Sequence, residues 1–571
     1  MFAAMTNFTG LVVLFLGKLY GKVQGHEPLS TVILALLVHR FFQKYEPQSP
    51  GICAFLPLIL PAMVSGAFMQ GASSILGSLS RVYAIFYTSL ILSVVLYRLS
   101  PLHPLARYPG PVLARISKLW FAHLNWQGKQ HVHYRNLHKK YGDVVRVGPN
   151  EIMLSDISVI EPLLGPGGWG KANHWHARAL HAPVVPLSAV NDHVEHARRR
   201  RTWMRGFSPA ALKDYEEIVN KRVVQLTEAL SARKSVDLAR LFGDFTHDVM
   251  NDMAFGGGVE MLRDGDLTGH WPLIESGMKA FALIGHLPWL ARFMMLVPGS
   301  KNDLDNMRKA CFERAILRKK KGTKQKDLFY YLSDELGAEK EEIPFEIVVN
   351  DGDLVVVAGS DTAKTVLSSL FFYLLSNPEK IAKLREEIDR FYPPGELLSS
   401  RCFQEMSYLD ACINETLRLS PAVPSGSQRD VGPNPDPSKG RTFGSYYFPE
   451  GTVVGIHTFT LHRDPRNFSP FTDEFWPERW LIAQSSMELP SSIPKADFVH
   501  NTAAFIPFSC GPANCIGKPL AILELRMAAV SILQNLDVRF EDGYARTWED
   551  EWKDHFVLMT GKLPVVFSNR R

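Results

Sequence analysis

The stretch Phe508-Ser-Cys-Gly-Pro-Ala-Asn-Cys-Ile-Gly517, followed by Lys518-Pro519, decides the fold of this 571-residue chain. An apolar helix is predicted directly after it, over Leu520–Leu536, and Pro519 fits the first turn of such a helix. Cys515 therefore precedes a helix start, where unpaired backbone N–H groups and the positive end of the helix dipole favour a thiolate. The spacing indicates a thiolate ligand.

Two glycines lie close to this cysteine. Gly511 and Gly517 would let the backbone approach a bulky planar group where side chains could not. Cys510 is farther from the helix start, so Cys515 is the better ligand. A single cysteine in a loop rich in Gly and Pro is more often a small buried hydrophobic residue, so the assignment depends on the rest of the chain.

Composition limits the classes of protein that this chain can belong to. The 63 Lys+Arg residues exceed the 58 Asp+Glu by only five, and 46% of the residues are hydrophobic. This excludes a mainly disordered chain and gives no sign of a nucleic-acid partner. Six cysteines without a CxxC pair exclude a disulfide scaffold and argue against a thiolate zinc site. The length suits one large enzyme domain with an appendage.

The cysteine segment resembles the signature of the cytochrome P450 family, Phe-x-x-Gly-x-Arg-x-Cys-x-Gly. Phe508, Gly511, Cys515 and Gly517 match it, whereas Ala513 stands at the arginine position. The resemblance implies a mainly α fold with small β-sheets and haem b (heme) as the cofactor. It also implies that the Cys515 thiolate is the axial ligand of the iron and that Phe508 lies near the sulfur and tunes it.

A second motif lies on a long helix predicted from Pro344 to about Ser376. Its Ala358-Gly-Ser-Asp-Thr362 segment places Asp361 and Thr362 after an apolar run. A hydroxyl inside a helix can donate to the carbonyl three or four residues back, which loosens the helix and makes room for oxygen and water. Without context this would be an ordinary helix with a solvated aspartate. The resemblance implies that both residues are catalytic and relay protons to dioxygen.

A third motif, Glu415-Thr-Leu-Arg418, places a carboxylate and a guanidinium three residues apart on one helix face. Alone, such a pair is a common surface feature. The family pairs it with an arginine in a Pro-Glu-Arg-Phe-like segment, which here is Phe475-Trp-Pro-Glu-Arg479-Trp. The resemblance implies that Glu415, Arg418 and Arg479 lock the loop under the haem, as a structural triad without a chemical role.

A fourth motif, His196-Ala-Arg-Arg-Arg200, places His196 and Arg200 on one helix face, since they are four residues apart. The resemblance implies that both meet the haem propionates, and Arg429 is a further candidate. The neighbouring Arg198, Arg199 and Arg201 are predicted to form a solvated basic face. Because Ala513 replaces the usual arginine, we expect the other cations to carry more of the propionate charge.

Composition changes sharply near residue 100. Ile52–Ser80 contains no Asp, Glu, Lys, Arg or His, and Val82–Tyr97 is a shorter apolar segment. A membrane-spanning helix needs roughly 20 apolar residues, so Ile52–Ser80 qualifies and Val82–Tyr97 is slightly short. Met1–Gly17 and Pro28–Val38 are weaker candidates. A cleavable signal peptide fits poorly because the amino terminus has no basic start, and a buried core hairpin is the remaining alternative.

Basic residues flank the apolar segments on both sides, so the positive-inside rule predicts cytosolic flanks and a loop around Arg81 on the far side. The expected organisation is a membrane anchor over residues 1–100, with two or three hydrophobic segments, and a haem-thiolate catalytic domain over 101–571. The resemblance spans about Tyr108 to the carboxyl terminus and implies the endoplasmic reticulum, with the catalytic domain in the cytosol. The extended amino terminus resembles that of a subset of fungal members.

These expectations imply a membrane-bound haem-thiolate monooxygenase that inserts one atom of O2 into an apolar small molecule, in secondary metabolism of a terpenoid-like kind or in detoxification. The chain has no GxGxxG after a strand, so electrons must come from outside, by resemblance from an NADPH-cytochrome P450 reductase. A basic surface including Lys518 would suit an acidic flavoprotein. The alternatives are a reductase-independent isomerase or dehydratase, and a haem-binding sensor or electron-relay protein.

The sequence also predicts a short hairpin and two candidate substrate linings. Val144–Val147 and Ile152–Leu154 read as strands joined by a tight turn. Phe281–Trp289 and Ala422–Ser427 mix apolar and small side chains, as expected of a substrate pocket. The identity of the substrate does not follow from the sequence.

Overall fold

The computed structural model of the protein describes residues 27–570 except 68–73, 181, 268, 300–301, 323–324, 394–395, 397, 427 and 433–439. The apolar segment Met1–Gly17 lies outside these described residues. Most of the described chain is helical, with short strands gathered in small sheets. The predicted mainly α fold with minor β structure is therefore confirmed.

The described residues before Ser100 form packed helices: α1 (Glu27–Tyr45), α2 (Pro50–Ala54), α3 (Leu60–Ala67) and α4 (Ile75–Leu99), with a π-helical turn between α2 and α3. The expected span Ile52–Ser80 is not one helix, since α4 begins inside it. The loop expected around Arg81 is also wrong, because Arg81 lies within α4. Arg81 lies near one end of this 25-residue helix, so most of the helix beyond it is apolar.

The apolar side chains of these helices divide into two sets. One set, including Leu34, Val64 and Phe86, forms a small core between the helices. The other set, including Ile91, Leu92 and Leu96 of α4, points outward and is more than half exposed. Of the described helices, Ile75–Leu99 and Phe345–Ser376 are long and apolar enough to cross a membrane, and the second is mostly buried within the protein.

The remaining helices belong to the catalytic part. In chain order they are α5 Val112–Ile116, α6 Leu119–Trp126, α7 Gln130–Tyr141, α8 Ile160–Leu164, α9 Asn173–Arg178, α10 His193–Gly206, α11 Pro209–Ser231, α12 Leu238–Phe255, α13 Met261–Asp264, α14 His270–His286, α15 Pro288–Met294, α16 Asn302–Lys321, α17 Leu328–Leu332, α18 Phe345–Ser376, α19 Pro378–Phe391, α20 Ser407–Leu419, α21 Thr458–Leu461, α22 Glu478–Ala483 and α23 Lys518–Asn535.

The long helix α18 organises this part of the molecule. It begins after Pro344 and ends at Asn377-Pro378, as the sequence predicts, since proline fits a helix start and ends the preceding helix. The almost entirely buried α12 packs along it, and α20 and α23 also contact it. The helix α18 crosses the largest apolar core. A polar residue at one of its buried positions therefore has its side chain in the interior of the protein.

The strands form small sheets at the edges of the helical core. The largest has the order β1-β2-β8-β5-β3, and the predicted hairpin is its β1-β2 pair. The strands are β1 Val144–Gly148, β2 Glu151–Leu154, β3 Gly170–Lys171, β4 Ser235–Asp237, β5 Gln428–Asp430, β6 Arg441–Phe443, β7 Tyr446–Phe448, β8 Val453–Ile456, β9 Phe468–Ser469, β10 Val499–His500, β11 Leu536–Phe540, β12 Lys553–His555, β13 Val557–Met559 and β14 Pro564–Asn569.

Hydrogen bonds hold the amino-terminal helices against the catalytic part. The guanidinium of Arg146, on β1, donates to the backbone carbonyl of Arg98 at 3.3 Å, and Arg98 in turn donates to the carbonyl of Ile116 at 2.5 Å. Asn150, in the β1-β2 turn, donates to the carboxylate of Glu46 at 3.1 Å. The helices thus contact the sheet directly.

Candidate active site

A cavity of about 370 Å³ brings together the cysteine loop, α10, α18 and β5. Most of its lining side chains are apolar. Of the residues predicted to be catalytic, cofactor-binding or structural, seven border it: Phe508, Cys515, Gly517, Thr362, His196, Arg200 and Arg429. Gly511, Asp361 and the three members of the predicted structural triad do not.

The cysteine loop is closed by backbone hydrogen bonds just before α23. The N–H of Cys515 donates to the carbonyl of Phe508 at 2.9 Å, and the N–H of Asn514 donates to that of Gly511 at 3.1 Å. Protein surrounds Cys515, yet its side chain is exposed, and the surface that it meets is the cavity. The loop therefore presents one thiol to the interior of the cavity.

Gly511 is required for a different reason from the one predicted. Its φ is 71°, and an added Cβ would lie 2.0 Å from the backbone oxygen of Leu164. The glycine is required because the loop packs against the end of α8 in a left-handed conformation, and it does not border the cavity. Gly517 does border the cavity, and its Cβ position is close to no atom except the Cys515 sulfur, at 3.9 Å.

The electrostatics of Cys515 also differ from the prediction. Burial raises the pKa of its thiol, although the N–H groups of Gly517 and Lys518 and the guanidinium of Arg200 oppose that rise. The N–H groups at the start of α23 thus favour the thiolate, as the sequence predicted, but burial outweighs them. A metal cation bound to the sulfur would deprotonate it outright, because coordination stabilises the thiolate far more than a helix end does.

Four basic side chains line the cavity: His196 and Arg200 from α10, Arg429 from β5, and Lys171 from β3. Lys171 is paired in register with Arg429, and it belongs to none of the motifs found in the sequence. Burial, reinforced by Arg429 and Arg200, lowers the pKa of Lys171 to about 7. Burial and Lys171 lower the pKa of His196 to about 4, so His196 is a neutral N–H donor near pH 7.

Glu524 is the one carboxylate among the described residues that line the cavity. It is buried, one of its oxygens has no hydrogen-bond partner, and burial raises its pKa well above its usual value. Burial thus favours its neutral form, and the cationic side chains of the lining are the charges left to face a ligand. A thiol beside this cationic lining fits haem, which needs a sulfur ligand for iron and cations for two propionates.

Arg199 corrects the predicted solvated basic face. Arg198 and Arg201 are exposed, but only 7% of Arg199 is exposed and it forms an ion pair of 2.6 Å with Asp351 of α18. The indole N–H of Trp203 donates to the same carboxylate at 3.0 Å. Arg199 therefore fixes α10 against α18. This contact positions His196 and Arg200, which lie on another face of α10.

The structure separates the two predicted proton-relay residues. The Thr362 hydroxyl borders the cavity and donates to the carbonyl of Ala358 at 2.8 Å, as predicted, yet α18 remains continuous there. Asp361 lies in a small neighbouring crevice with Glu275 and Lys364. Burial raises the pKa of Asp361 to about 6, Lys364 opposes the rise and Glu275 adds to it. Asp361, which precedes Thr362 on α18, can thus exchange protons near neutral pH.

Glu415, Arg418 and Arg479 meet in the interior with their side chains fully buried. Arg418 donates two hydrogen bonds of 2.8 Å to the Glu415 carboxylate, and Arg479 donates one of 3.1 Å. The indole of Trp480 donates a fourth, at 3.0 Å. Burial tends to raise the pKa of Glu415, but Arg418 and Arg479 outweigh it and hold that pKa below its ordinary value.

The triad reaches the cysteine loop through His462, which the sequence analysis missed. Arg418 donates to the carbonyl of His462 at 3.0 Å. The ring Nε2 of His462 accepts a hydrogen bond of 3.0 Å from the N–H of Ile506, two residues before Phe508. His462 is neutral, since burial lowers its pKa to about 3. A buried histidine thus connects the triad to the start of the loop.

One of the two predicted substrate linings borders the cavity. Ala422, Val423 and Gly426 line it, whereas no described residue of Phe281–Trp289 does. Phe281 lies one layer behind, with its ring 5.3 Å from that of Phe556, which lines the cavity in its place. The sequence could not find Phe556 because it is 275 positions away along the chain.

Comparison with known proteins identifies the family. The Cytochrome P450 family model matches residues 107–567. Cytochrome P450 monooxygenase FCK2 of Fusarium pseudograminearum is 33% identical over 84% of this chain and 85% of its own length. Cytochrome P450 monooxygenase nodW of Hypoxylon pulicicidum is 32% identical over 89% and 91%.

A third relative carries a substrate in its name. Tryprostatin B 6-hydroxylase of Aspergillus fumigatus is 29% identical over 86% of this chain and 85% of its own length. The range matched by the family model includes the cysteine loop, α18 and the buried triad. The chain belongs to the cytochrome P450 family and is a P450 monooxygenase.

Proposed function

We propose that this monooxygenase transfers one atom of O2 to an apolar small molecule in fungal secondary metabolism. The observation that carries this proposal is the single cavity that holds both the Cys515 thiol and the Thr362 hydroxyl within a mostly apolar lining. Such a lining favours an apolar ligand, because burial of apolar surface is the main source of binding energy. Tryprostatin B 6-hydroxylase, a hydroxylase of a named metabolite, is among its relatives.

In this proposal the cavity holds haem b through Cys515. The haem, when bound, supplies the activation of dioxygen. The chain's own residues do the rest: Phe508 packs beside the sulfur, and Lys171, His196, Arg200 and Arg429 meet the propionates. Lys171 borders the same cavity as Ala513, and we propose that its charge replaces that of the usual arginine, although its Nζ now donates to the Leu187 carbonyl at 3.1 Å.

Protons reach the cavity from α18. The Thr362 hydroxyl borders the cavity, and Asp361, the preceding residue of α18, lies in the neighbouring crevice with a pKa of about 6. A carboxyl group that titrates near neutral pH can both donate a proton and regain one from solvent. Thr362 then donates its own hydroxyl proton towards the cavity, giving up its hydrogen bond to the Ala358 carbonyl, and its Oγ1 accepts a replacement proton in the same relay.

Electrons come from a separate NADPH-cytochrome P450 reductase, because the chain has no GxGxxG motif after a strand: its match at residues 165–170 follows the helix α8 instead. Lys518, at the start of α23 beside the cysteine loop, and Arg198 and Arg201, on α10, are exposed. The loop and α10 meet where Arg200 donates to the carbonyl of Asn514 at 2.9 Å. This basic surface would receive an acidic partner by charge complementarity.

Reconstitution tests the proposed function. The membrane-bound protein is supplied with a P450 reductase, NADPH and an extract of apolar fungal metabolites, and oxygenated products are sought by mass spectrometry with isotopically labelled O2. Incorporation of one labelled oxygen atom that requires both NADPH and reductase supports the proposal. Peroxide rearrangement without NADPH would instead show an isomerase or dehydratase, and haem binding without turnover would show a sensor or electron relay.

Replacing Thr362 by alanine should uncouple electron use from product formation. The variant removes the hydroxyl that borders the cavity but no predicted haem contact, so haem content should be unchanged. Loss of one positioned proton donor costs about 10²–10⁴-fold in a proton-transfer step, so more NADPH should end as peroxide or water. The measurement is product and peroxide formed per NADPH, with Thr362→Ser as the matched control. Unchanged coupling in Thr362→Ala would show that protons arrive by another route.

Replacing Arg200 by alanine should speed haem loss about ten-fold, because it removes a charged donor from the propionate lining. Lys171→Ala should have a similar effect, and Ala513→Arg should slow haem loss or leave it unchanged. Transfer of haem to an excess of apomyoglobin measures the rate. Arg201→Ala is the matched control, since Arg201 is exposed on the same helix. Parent-like retention by Arg200→Ala would mean that another group holds that propionate.

We also propose that residues 1–100 anchor the protein in the endoplasmic reticulum membrane. Deleting them should release most of the protein from membranes while it keeps haem, because every cavity residue lies beyond Ser100. Flotation with vesicles measures the association. The exposed Leu113 and Leu119 remain in the truncated protein and account for residual binding. Loss of haem on truncation would show that the contacts of Arg98 and Glu46 with the catalytic part are required for the fold.

A further inference from the structure

Arg178, the last residue of α9, is a buried arginine surrounded by aromatic rings. Its side chain is only 6% exposed. The guanidinium carbon lies 4.7 Å from the ring centres of Phe281 and Phe556 and 5.4 Å from that of Trp175. Its Nε donates to the carbonyl of Phe281 at 3.1 Å. The aromatic faces stabilise the cation but accept no strong hydrogen bond.

This guanidinium has donors to spare. Its Nη1 is buried without a hydrogen-bond partner, and no Asp or Glu of the described chain forms an ion pair with it. Glu151 is the acidic residue whose charge reaches it, but that carboxylate is paired with Lys118 at 2.5 Å. A buried cation without an anion is costly, so such sites are retained where a ligand completes them.

Gly285 of α14 makes room for this arrangement. A Cβ at Gly285 would lie 2.0 Å from Nη2 of Arg178, so any larger residue would displace the guanidinium. The glycine at this position of α14 therefore leaves the space that the arginine side chain occupies.

Two histidines lie in the same region. The Nδ1 atoms of His174, on α9, and His286, on α14, are both buried without a hydrogen-bond partner. The charge of Arg178 lowers the pKa of each, although burial is the larger cause. The Nε2 of His286 donates to Oε1 of Gln130 at 2.7 Å, so the Nδ1 of this neutral ring carries no proton and is an acceptor. Arg178 and His174 are therefore the two groups that offer hydrogen bonds to one acceptor, the pattern used to bind a carboxylate.

The donors lie directly behind the wall of the cavity. Trp175 and Phe556 line the cavity on one side and contact the guanidinium on the other. The two rings lie 5.4 Å apart edge to face. A rotation of either ring would expose the guanidinium to a ligand in the cavity, since each ring lies between the two.

We propose that Arg178, with His174 beside it, forms a subsite for a carboxylate carried by the otherwise apolar substrate. The inference rests on the proposed function and adds a chemical class of substrate to it. The carboxylate pairs with the guanidinium behind Trp175 and Phe556, and the apolar body of the substrate remains in the cavity. Arg178 is thus a binding residue, distinct from the cations of the cofactor lining.

Ligand binding to the full-length haem protein tests this subsite without turnover. Three carboxylates, dodecanoate, 4-phenylbutyrate and 1-naphthylacetate, are each titrated beside the matched alcohol, and the shift of the Soret band gives both dissociation constants. The parent should bind at least one carboxylate about ten-fold more tightly than its alcohol, the usual value of one charged hydrogen bond. Arg178→Met and Gly285→Ala should abolish that preference, and Arg178→Lys should retain part of it.

Arg263→Met is the matched control, because Arg263 is 65% exposed and pairs with its neighbour Asp264. If Arg178→Met does not incorporate haem, Arg178→Lys and Gly285→Ala decide the question. The proposal is overturned if the parent prefers none of the three carboxylates, absence of binding included, or if the preference survives in the folded Arg178 variants. Failure of NADPH-dependent turnover would overturn the proposed function alone, since this binding is measured without reductase.

Discussion

Cys515→Ala is expected to abolish the strongly red-shifted Soret band that the reduced protein gives with carbon monoxide. The band requires a thiolate on the iron, and Cys515 is the cysteine whose side chain faces the cavity. The loop around it is held by backbone bonds, so removal of one sulfur should leave the fold intact. Activity should fall to background, because the thiolate drives cleavage of the O–O bond.

Cys510→Ala is the matched control in the same loop. Cys510 packs against the smaller apolar core beside the β-sheet and does not border the cavity. The variant should keep the band at the parent's position and intensity. The reverse pattern, with the band lost in Cys510→Ala and kept in Cys515→Ala, would sink the assignment of the ligand.

Local sequence was enough to predict the elements that carry the site. Proline at a helix start and Asn-Pro at its end set the bounds of α18, and the apolar run after Pro519 predicted α23. These signals work because they depend on neighbours within a few residues. The grouping of Cys515 with Thr362 needed the resemblance to the family, since no local sequence signal relates the cysteine loop to α18.

The structural roles of individual residues were less predictable. Gly511 was assigned to the cofactor, but it is required by the backbone of Leu164, far away in sequence. Arg199 reads as part of a basic surface, but it is buried against Asp351. In both cases the partner comes from another element, and the sequence pattern carries no information on which elements meet.

Three residues of functional interest left no sequence signal. Lys171 lies on a two-residue strand, His462 follows a four-residue helix, and Arg178 ends a six-residue helix. Such short elements have no periodicity to interpret. Their importance comes from what the fold places opposite them: Arg429, Ile506 and Gly285.

Glu415→Gln is expected to destabilise the protein by about 3–5 kcal/mol, the cost of removing one partner from a buried ion pair. Arg418 and Arg479 are fully buried and would keep their charges without the carboxylate. Through His462 and Ile506 the damage should reach the cysteine loop, so haem occupancy should fall as well. Urea unfolding measures the stability. Glu379→Gln is the matched control, since Glu379 is 61% exposed on α19.

The same carboxylate should make stability depend on pH. Its pKa in the folded protein lies below the ordinary value of 4.5, so the ionised form stabilises the fold above that pH and the contribution is lost as pH falls through the folded pKa. The difference between parent and Glu415→Gln should therefore be largest near neutral pH and shrink in acid. Because the glutamine cannot ionise, its own stability should fall less steeply there. A difference that stays constant from neutral to acidic pH would show that the variant acts through packing rather than through the charge of Glu415.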